Sequence, residues 1–275
     1  MPPCSPGKAL CSTGCAGIAS ATATASTDCG PPAHSVAHQI RIGTSGWQYA
    51  DWRGVLYPKG LPQRAWLQRY AEVFDTVELN NSFYKLPSTA NFEKWKESVP
   101  PGFLVATKLS RYITHVRGLR DPDGPVHLFM ERAAHLGPHL GPVVMQLPPT
   151  RGRDEDGLER TLKAFPSSVR VAVEFRHDSW FVDTVREILQ RHNAALVWAD
   201  RGGRLQNPDW ITADWLYLRL HGGSGTAGNY GPRVIDAYAQ RLASVDSDAY
   251  VYFNNDMAGN AVRNARALLA RIGFR

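Results

Sequence analysis

A chain of 275 residues with 43% hydrophobic and 10% aromatic residues has apolar material for one large core, and its formal charge of +6 suits anionic ligands or nucleic acid without demanding either. No apolar run approaches the roughly 18 residues that a bilayer span needs, which excludes a membrane helix. All four cysteines, Cys4, Cys11, Cys15 and Cys29, precede residue 30, so a disulfide-stapled fold is excluded for the rest and a reducing cytoplasm is the expected compartment.

Residues 1–38 are dominated by Ala, Ser, Thr, Gly and Pro and hold almost no large apolar side chain. Such a segment buries too little surface to offset chain entropy and is expected to be a disordered extension. It lacks the continuous apolar stretch of a signal peptide. Residues 39–275 are expected to form a single domain.

From residue 39, β-rich runs alternate with amphipathic stretches. The pattern predicts eight strands, over 40–43, 76–79, 104–107, 143–147, 170–175, 195–199, 216–221 and 249–254. Helices are predicted over 63–73, 89–98, 126–135, 155–164, 181–192, 232–243 and 258–271. The interval 201–215 is short and carries Gly-Gly and Asn-Pro, so the sixth helix is expected to be reduced or absent. Alternating strands and helices imply parallel pairing through right-handed crossovers. Eight such units predict an α/β fold of (β/α)8 TIM-barrel type, with a doubly wound open sheet as the alternative.

In a barrel strand alternate residues face inward and the others pack on the helices. In the fifth strand Val171, Val173 and Phe175 form the apolar outer set, which turns Glu174 and Arg176 inward. Leucines in the seventh strand leave Tyr217, Arg219 and His221 inside, and the eighth contributes Tyr252 and Asn254. The same reasoning brings in Arg41, Glu78, Asn80, Lys108, Gln146 and Asp200. Barrel interiors are ordinarily filled by Val, Ile and Leu, and barrel enzymes place their sites at the C-terminal mouth. Unpaired buried charge costs several kcal/mol per ion, so this set must pair internally or face a wet ligand pocket. Mouth loops add aromatic residues at Trp47, Tyr49, Trp52, Phe83, Tyr84 and Trp180, with His177 among them, as walls for a planar or sugar-like ligand.

Seven runs, IGTSGWQYADWRG (42–54), VELNNSFYKLP (77–87), KLSRYITH (108–115), VVMQLPP (143–149), VAVEFRHDSW (171–180), YLRLHG (217–222) and YVYFNND (250–256), resemble the YecE-like family, domain of unknown function 72. The resemblance is collinear over residues 40 to 272. It implies a TIM-barrel-like fold and supplies no activity.

The residues themselves suggest an enzyme acting on a small polar, anionic ligand such as a phosphorylated sugar or nucleotide-like compound. Arg176, Arg219 and Lys108 would bind the anion, with Asn80, Gln146, Asn254, Trp47, Tyr84 and His177 lining the ligand. Glu174, Glu78 and His221 are the candidate acids and bases. No cofactor is called for. A variant places a divalent metal among Glu78, Glu174, His177, Asp200, His221 and Asp256. A glycine-rich loop at 222–225 could grip phosphate, although it lacks the Lys-Ser/Thr of a P-loop. The alternative of another class is a non-catalytic barrel binding nucleic acid or protein through the basic loops at 111–120 and 151–153. Oligomeric state is not legible.

Overall fold

The computed structural model describes residues 38–273. The reading of residues 1–38, its cysteines included, lies outside the described residues but for His38. Two five-stranded sheets make up the fold. One holds β2 (Thr76–Leu79), β3 (Leu104–Lys108), β4 (Leu140–Gln146), β5 (Val171–Glu174) and β6 (Ala195–Leu196), in that spatial order and all parallel. The other runs β1 (Ile40–Thr44), β10 (Asp248–Phe253), β9 (Trp215–Leu220), β7 (Trp198–Arg201), β8 (Arg204–Leu205), parallel except for the β7–β8 hairpin.

The helices follow the strands as the periodicity predicts: α1 (Trp66–Ala71), a single turn α2 (Asn81–Tyr84), α3 (Thr89–Glu97), α4 (Asp123–Ala133), α5 (Glu155–Lys163), α6 (Asp183–Arg191), α7 (Pro232–Ala243) and α8 (Asn260–Ile272). No helix occupies residues 202–214. No described helix is long and apolar enough to cross a membrane. Two apolar clusters pack the outer faces of the sheets against the helices, and Val171, Val173, Phe175, Leu216, Leu218 and Leu220 belong to them as their alternation requires. A third cluster, including Ala106, Val144, Ala172, Val197, Trp215, Tyr217, Tyr250 and Tyr252, lies on the inner faces and draws on both sheets.

Between β1 and β2, strands of different sheets, Gly46 N donates to Glu78 O (2.8 Å); Val197, in the chain between β6 and β7, donates to Val173 O (2.9 Å) and extends the β5–β6 pairing. Gly43 is required between β1 and β2, because a Cβ there would lie 2.1 Å from the Thr76 carbonyl oxygen.

Strand six departs from expectation by splitting into β6 and β7, and Asp200 faces outward. Its carboxylate accepts hydrogen bonds from Tyr230 (2.6 Å), Tyr238 on α7 (2.5 Å) and Gly203 N (3.1 Å). An asparagine would turn its NH2 toward one of the two tyrosine hydroxyls that now donate to separate oxygens. Asp200→Asn is therefore expected to cost about 2 kcal/mol, read as a lower urea midpoint at unchanged m-value; an unchanged midpoint would deny the network any stabilising role.

Candidate functional site

The inward register delivers a cluster of charges where the strands end. Arg219 on β9 is 1% exposed and reaches carboxylates on two other strands, Glu78 on β2 and Glu174 on β5, themselves 0% and 1% exposed. Its guanidinium donates to Glu78 Oε1 (2.8 Å) and Glu174 Oε2 (2.5 Å). Glu78 also accepts from Tyr217 (2.7 Å) and from Ser45. Arg176 Nε donates to Glu174 Oε1 (2.8 Å). Burial alone would raise both carboxylates, but the Arg219 charge and the hydroxyl and imidazole partners overcome it. Glu78 is held below its ordinary pKa, and Glu174 well below. Both are therefore fixed as anions. The oxygens of Glu78 are engaged by three donors, Arg219, Tyr217 and Ser45.

Lys108 at the end of β3 is different. Its side chain is 92% buried (8% exposed), and its ammonium donates to Gln146 Oε1 (2.8 Å) and lies 4.0 Å from the centre of the Phe83 ring. Among the described residues no carboxylate forms a salt bridge with it. Burial, then the neighbouring Arg219 charge, push its pKa down to about 8. Three cations (Arg219, Arg176 and Lys108) thus meet two carboxylates, Arg176 with its side chain 35% exposed to solvent.

His221 follows β9. Its Nε2 stands 3.4 Å from Glu174 Oε1, close enough for an ion pair but too far for a good hydrogen bond, while Asn254 Nδ2 lies 3.1 Å from its Nδ1. With the Asn254 amide donating, Nδ1 accepts and the proton sits on Nε2, toward Glu174. Protonating the ring at Nδ1 requires the Asn254 amide to turn and offer its oxygen. Buried Nε2 of His221 and Oδ1 of Asn80 have no hydrogen-bond partner.

One residue the sequence reading passed over belongs here. His115 lies in a π-helical turn, Tyr112–Val116, after β3, and such turns recur at functional sites. Its ring meets Phe83 edge to face at 5.0 Å. Burial and the cations Lys108, Arg111 and Arg176 hold its pKa below the ordinary value, which reports a positive field over this part of the site. It stood inside the motif KLSRYITH, without periodicity to mark it.

Other expected members are placed as follows. Arg41 has the inward parity but belongs to the opposite, N-terminal ends of the strands, where it binds Asp75 (3.0 Å) and Gly102 O (3.0 Å). His177 turns into its own loop, accepting from Ser179 N (3.2 Å). Tyr84 is 74% exposed, whereas Trp47 is 3% exposed and packs edge to face on Trp95 at 5.8 Å. Trp180 is core, stacked on Phe175 at 4.6 Å. Three of the four amides of the 222–225 loop are engaged locally: Gly222 N on the Tyr230 hydroxyl, Gly223 N on Gly228 O and Gly225 N on Asn229 O. Two cations of the basic loops are neutralised, Arg117 by Asp121 (2.7 Å) and Arg153 by Glu155 (3.4 Å). With Asp200 outward and His177 turned away, the six ligands of the metal variant do not converge, and no group of three or more His, Cys, Asp or Glu side chains comes together among the described residues.

The chain's sequence and shape have recognisable relatives. The profile of the family described as "Protein of unknown function DUF72" matches residues 41–275. YunF of Bacillus subtilis is 31% identical over 266 residues, covering 84% of this chain and 93% of YunF. YecE of Escherichia coli (strain K12) is 32% identical over 143 residues, 52% of this chain, and the match spans about half of that relative's length (50%). A crystal structure of a DUF72 family protein from Thermotoga maritima superposes with a TM-score of 0.73 at 28% identity, covering 86% of this chain and 100% of that one.

Proposed function

The chain belongs to the DUF72 family, and from that premise we propose that it is an enzyme acting on a small anionic ligand, with Lys108 and Arg176 holding the anion and His221 moving the proton. In this reading the two sheets form one eight-stranded barrel, and the ligand enters where the strands end.

The observation that carries the proposal is Lys108: a buried ammonium without a carboxylate, in a cluster whose cations outnumber its anions. An uncompensated buried charge is costly and is retained where a ligand supplies the counter-charge. His221, held between the Glu174 carboxylate and the Asn254 amide, is the group placed to carry the proton.

Sulfate, whose charge is constant over the interval, tests the anion site by calorimetric titration. Below about pH 8 Lys108 is charged and affinity is level; above that pH affinity is expected to fall, approaching tenfold per unit as the free protein loses the proton that the complex retains. Affinity independent of pH from 7 to 9.5 would remove Lys108 from the site. For the enzymatic part, a panel of phosphorylated sugars and nucleotides is assayed for turnover. His221→Gln is expected to lower it at least 100-fold, and turnover equal in both proteins would remove His221 from the mechanism.

A second reading, single-stranded nucleic acid across the same end, is favoured by exposed Tyr84 (74%) and Tyr112 (47%) beside Lys85 and Arg111. Bases stack on exposed aromatic side chains while cations follow the phosphates. Binding of an oligonucleotide that weakens steeply with salt and is lost in Tyr84→Ala would support it.

A further inference from the structure

We infer that the ligand's other end is neutral and carries hydroxyl groups, and that it is read by a small amide-lined cavity between β1 and β2. This rests on the anion site proposed above and names the ligand as polyhydroxylated, in the manner of a sugar phosphate.

The cavity has a volume of about 160 Å3 and is lined by Gly46, Trp47, Gln48, Tyr49, Leu79, Asn80 and Asn81. At about 30 Å3 per water it holds some five waters, the space of one small ring or a few hydroxyl groups. Its polar side chains are three amides, a phenol and the Trp47 indole, with no carboxyl or ammonium among them. Amides both donate and accept, which suits hydroxyl groups that do the same. Asn80 Oδ1 is buried with no partner, and Asn81 gives one amide hydrogen to Gln48 (3.3 Å), setting those two amides side by side.

The walls are built rather than accidental. The Tyr49 hydroxyl donates back to Ser45 O (2.7 Å) and its ring lies 4.8 Å from that of Trp52. That fold needs glycine at position 46, where φ is +87° and a Cβ would sit 2.9 Å from the Tyr49 hydroxyl oxygen. Ser45, whose carbonyl holds the Tyr49 hydroxyl, also donates to Glu78, which links this wall to the charge cluster. It is also near the anion site. Leu79 is paired with Thr107, so Asn80 follows on the strand beside Lys108, and adjacent strands are about 4.8 Å apart. One small molecule can reach both.

Four probes decide the matter by calorimetry: inorganic phosphate, propyl phosphate, ribose 5-phosphate and uncharged methyl riboside. Ribose 5-phosphate is expected to bind at least tenfold tighter than propyl phosphate, and Asn81→Ala or Gln48→Ala to shrink that ratio below threefold. Equal affinity for the two esters, or a ratio that survives both substitutions, would overturn the inference. If no phosphate binds, the anion reading fails by itself; methyl riboside binding that is lost in Asn81→Ala would still uphold the hydroxyl subsite, and its absence would overturn that too. Gly46→Ala, which displaces Tyr49 rather than removing a polar contact, is expected to reduce the same ratio.

Discussion

Arg219→Met is expected to destabilise the protein by about 4 kcal/mol at neutral pH, the range for removing one partner of a buried ion pair. The guanidinium is the only bridge in the described structure between the Glu78 and Glu174 carboxylates. Without it Glu78 keeps two hydroxyl donors and Glu174 keeps Arg176 and the nearby His221, but neither is charge-compensated as before. The pH dependence changes sign. In the native protein both carboxylates lie below their ordinary pKa, so their contribution is present above the unfolded value and is lost as pH falls through the folded one. In Arg219→Met burial is opposed only by the remaining, weaker partners, and the carboxylates are expected to rise above their ordinary values. Their protonated forms are then tolerated below the unfolded pKa, and stability is lost as pH rises through the folded one. Urea unfolding at pH 5 and pH 7.5 reads this: the penalty should shrink at the lower pH. A penalty equal at both would mean that Arg219 acts by filling space. The double variant Glu78→Gln with Arg219→Met should recover about half of the loss.

This cluster was legible because alternation in β5 and β9 is unambiguous. Val171, Val173 and Phe175, like the leucines of β9, form one apolar set, so the polar residues between them had only the interior left. The same logic failed where both sets are apolar. In residues 194–199 Ala195, Val197 and Ala199 alternate with Ala194, Leu196 and Trp198, and neither parity is marked; Asp200 was assigned inward and faces α7 instead. Parity also says which face a residue joins, not which end of the strand. Arg41 shares the parity of Gly43 and Ser45 but lies two and four residues earlier, and its partner is Asp75 rather than Glu78. Beyond the strand ends there is no period to extrapolate, which is why His177 was counted in and His115 was not. Composition could not show that Lys108 lacks a carboxylate, since that depends on how Arg219 divides its hydrogen bonds between Glu78 and Glu174.

That isolation makes Lys108→Met the sharpest discriminator between a site and a filled interior. A lysine whose pKa falls from 10.5 to about 8 spends roughly 3 kcal/mol at neutral pH on staying charged, at 1.36 kcal/mol per unit. A methionine of similar length avoids that penalty. Some of the gain is returned, because Gln146 loses its donor and the Phe83 face its cation. A net stabilisation of about 2 kcal/mol is expected, a rise in Tm of roughly 4–8 °C for a domain of this size. Because the native lysine has a depressed pKa, native stability itself should climb with pH between about 8 and 10.5, where the unfolded chain holds the proton and the folded one does not; the variant should lose this slope. The same substitution is expected to weaken sulfate binding at least 30-fold at pH 7. Stability gained while the anion is lost is the signature of a charge kept for a ligand. If Lys108→Met instead destabilises by more than 1 kcal/mol and binds sulfate as the native protein does, the ammonium is part of the interior's own ion network and the anion site must be sought elsewhere.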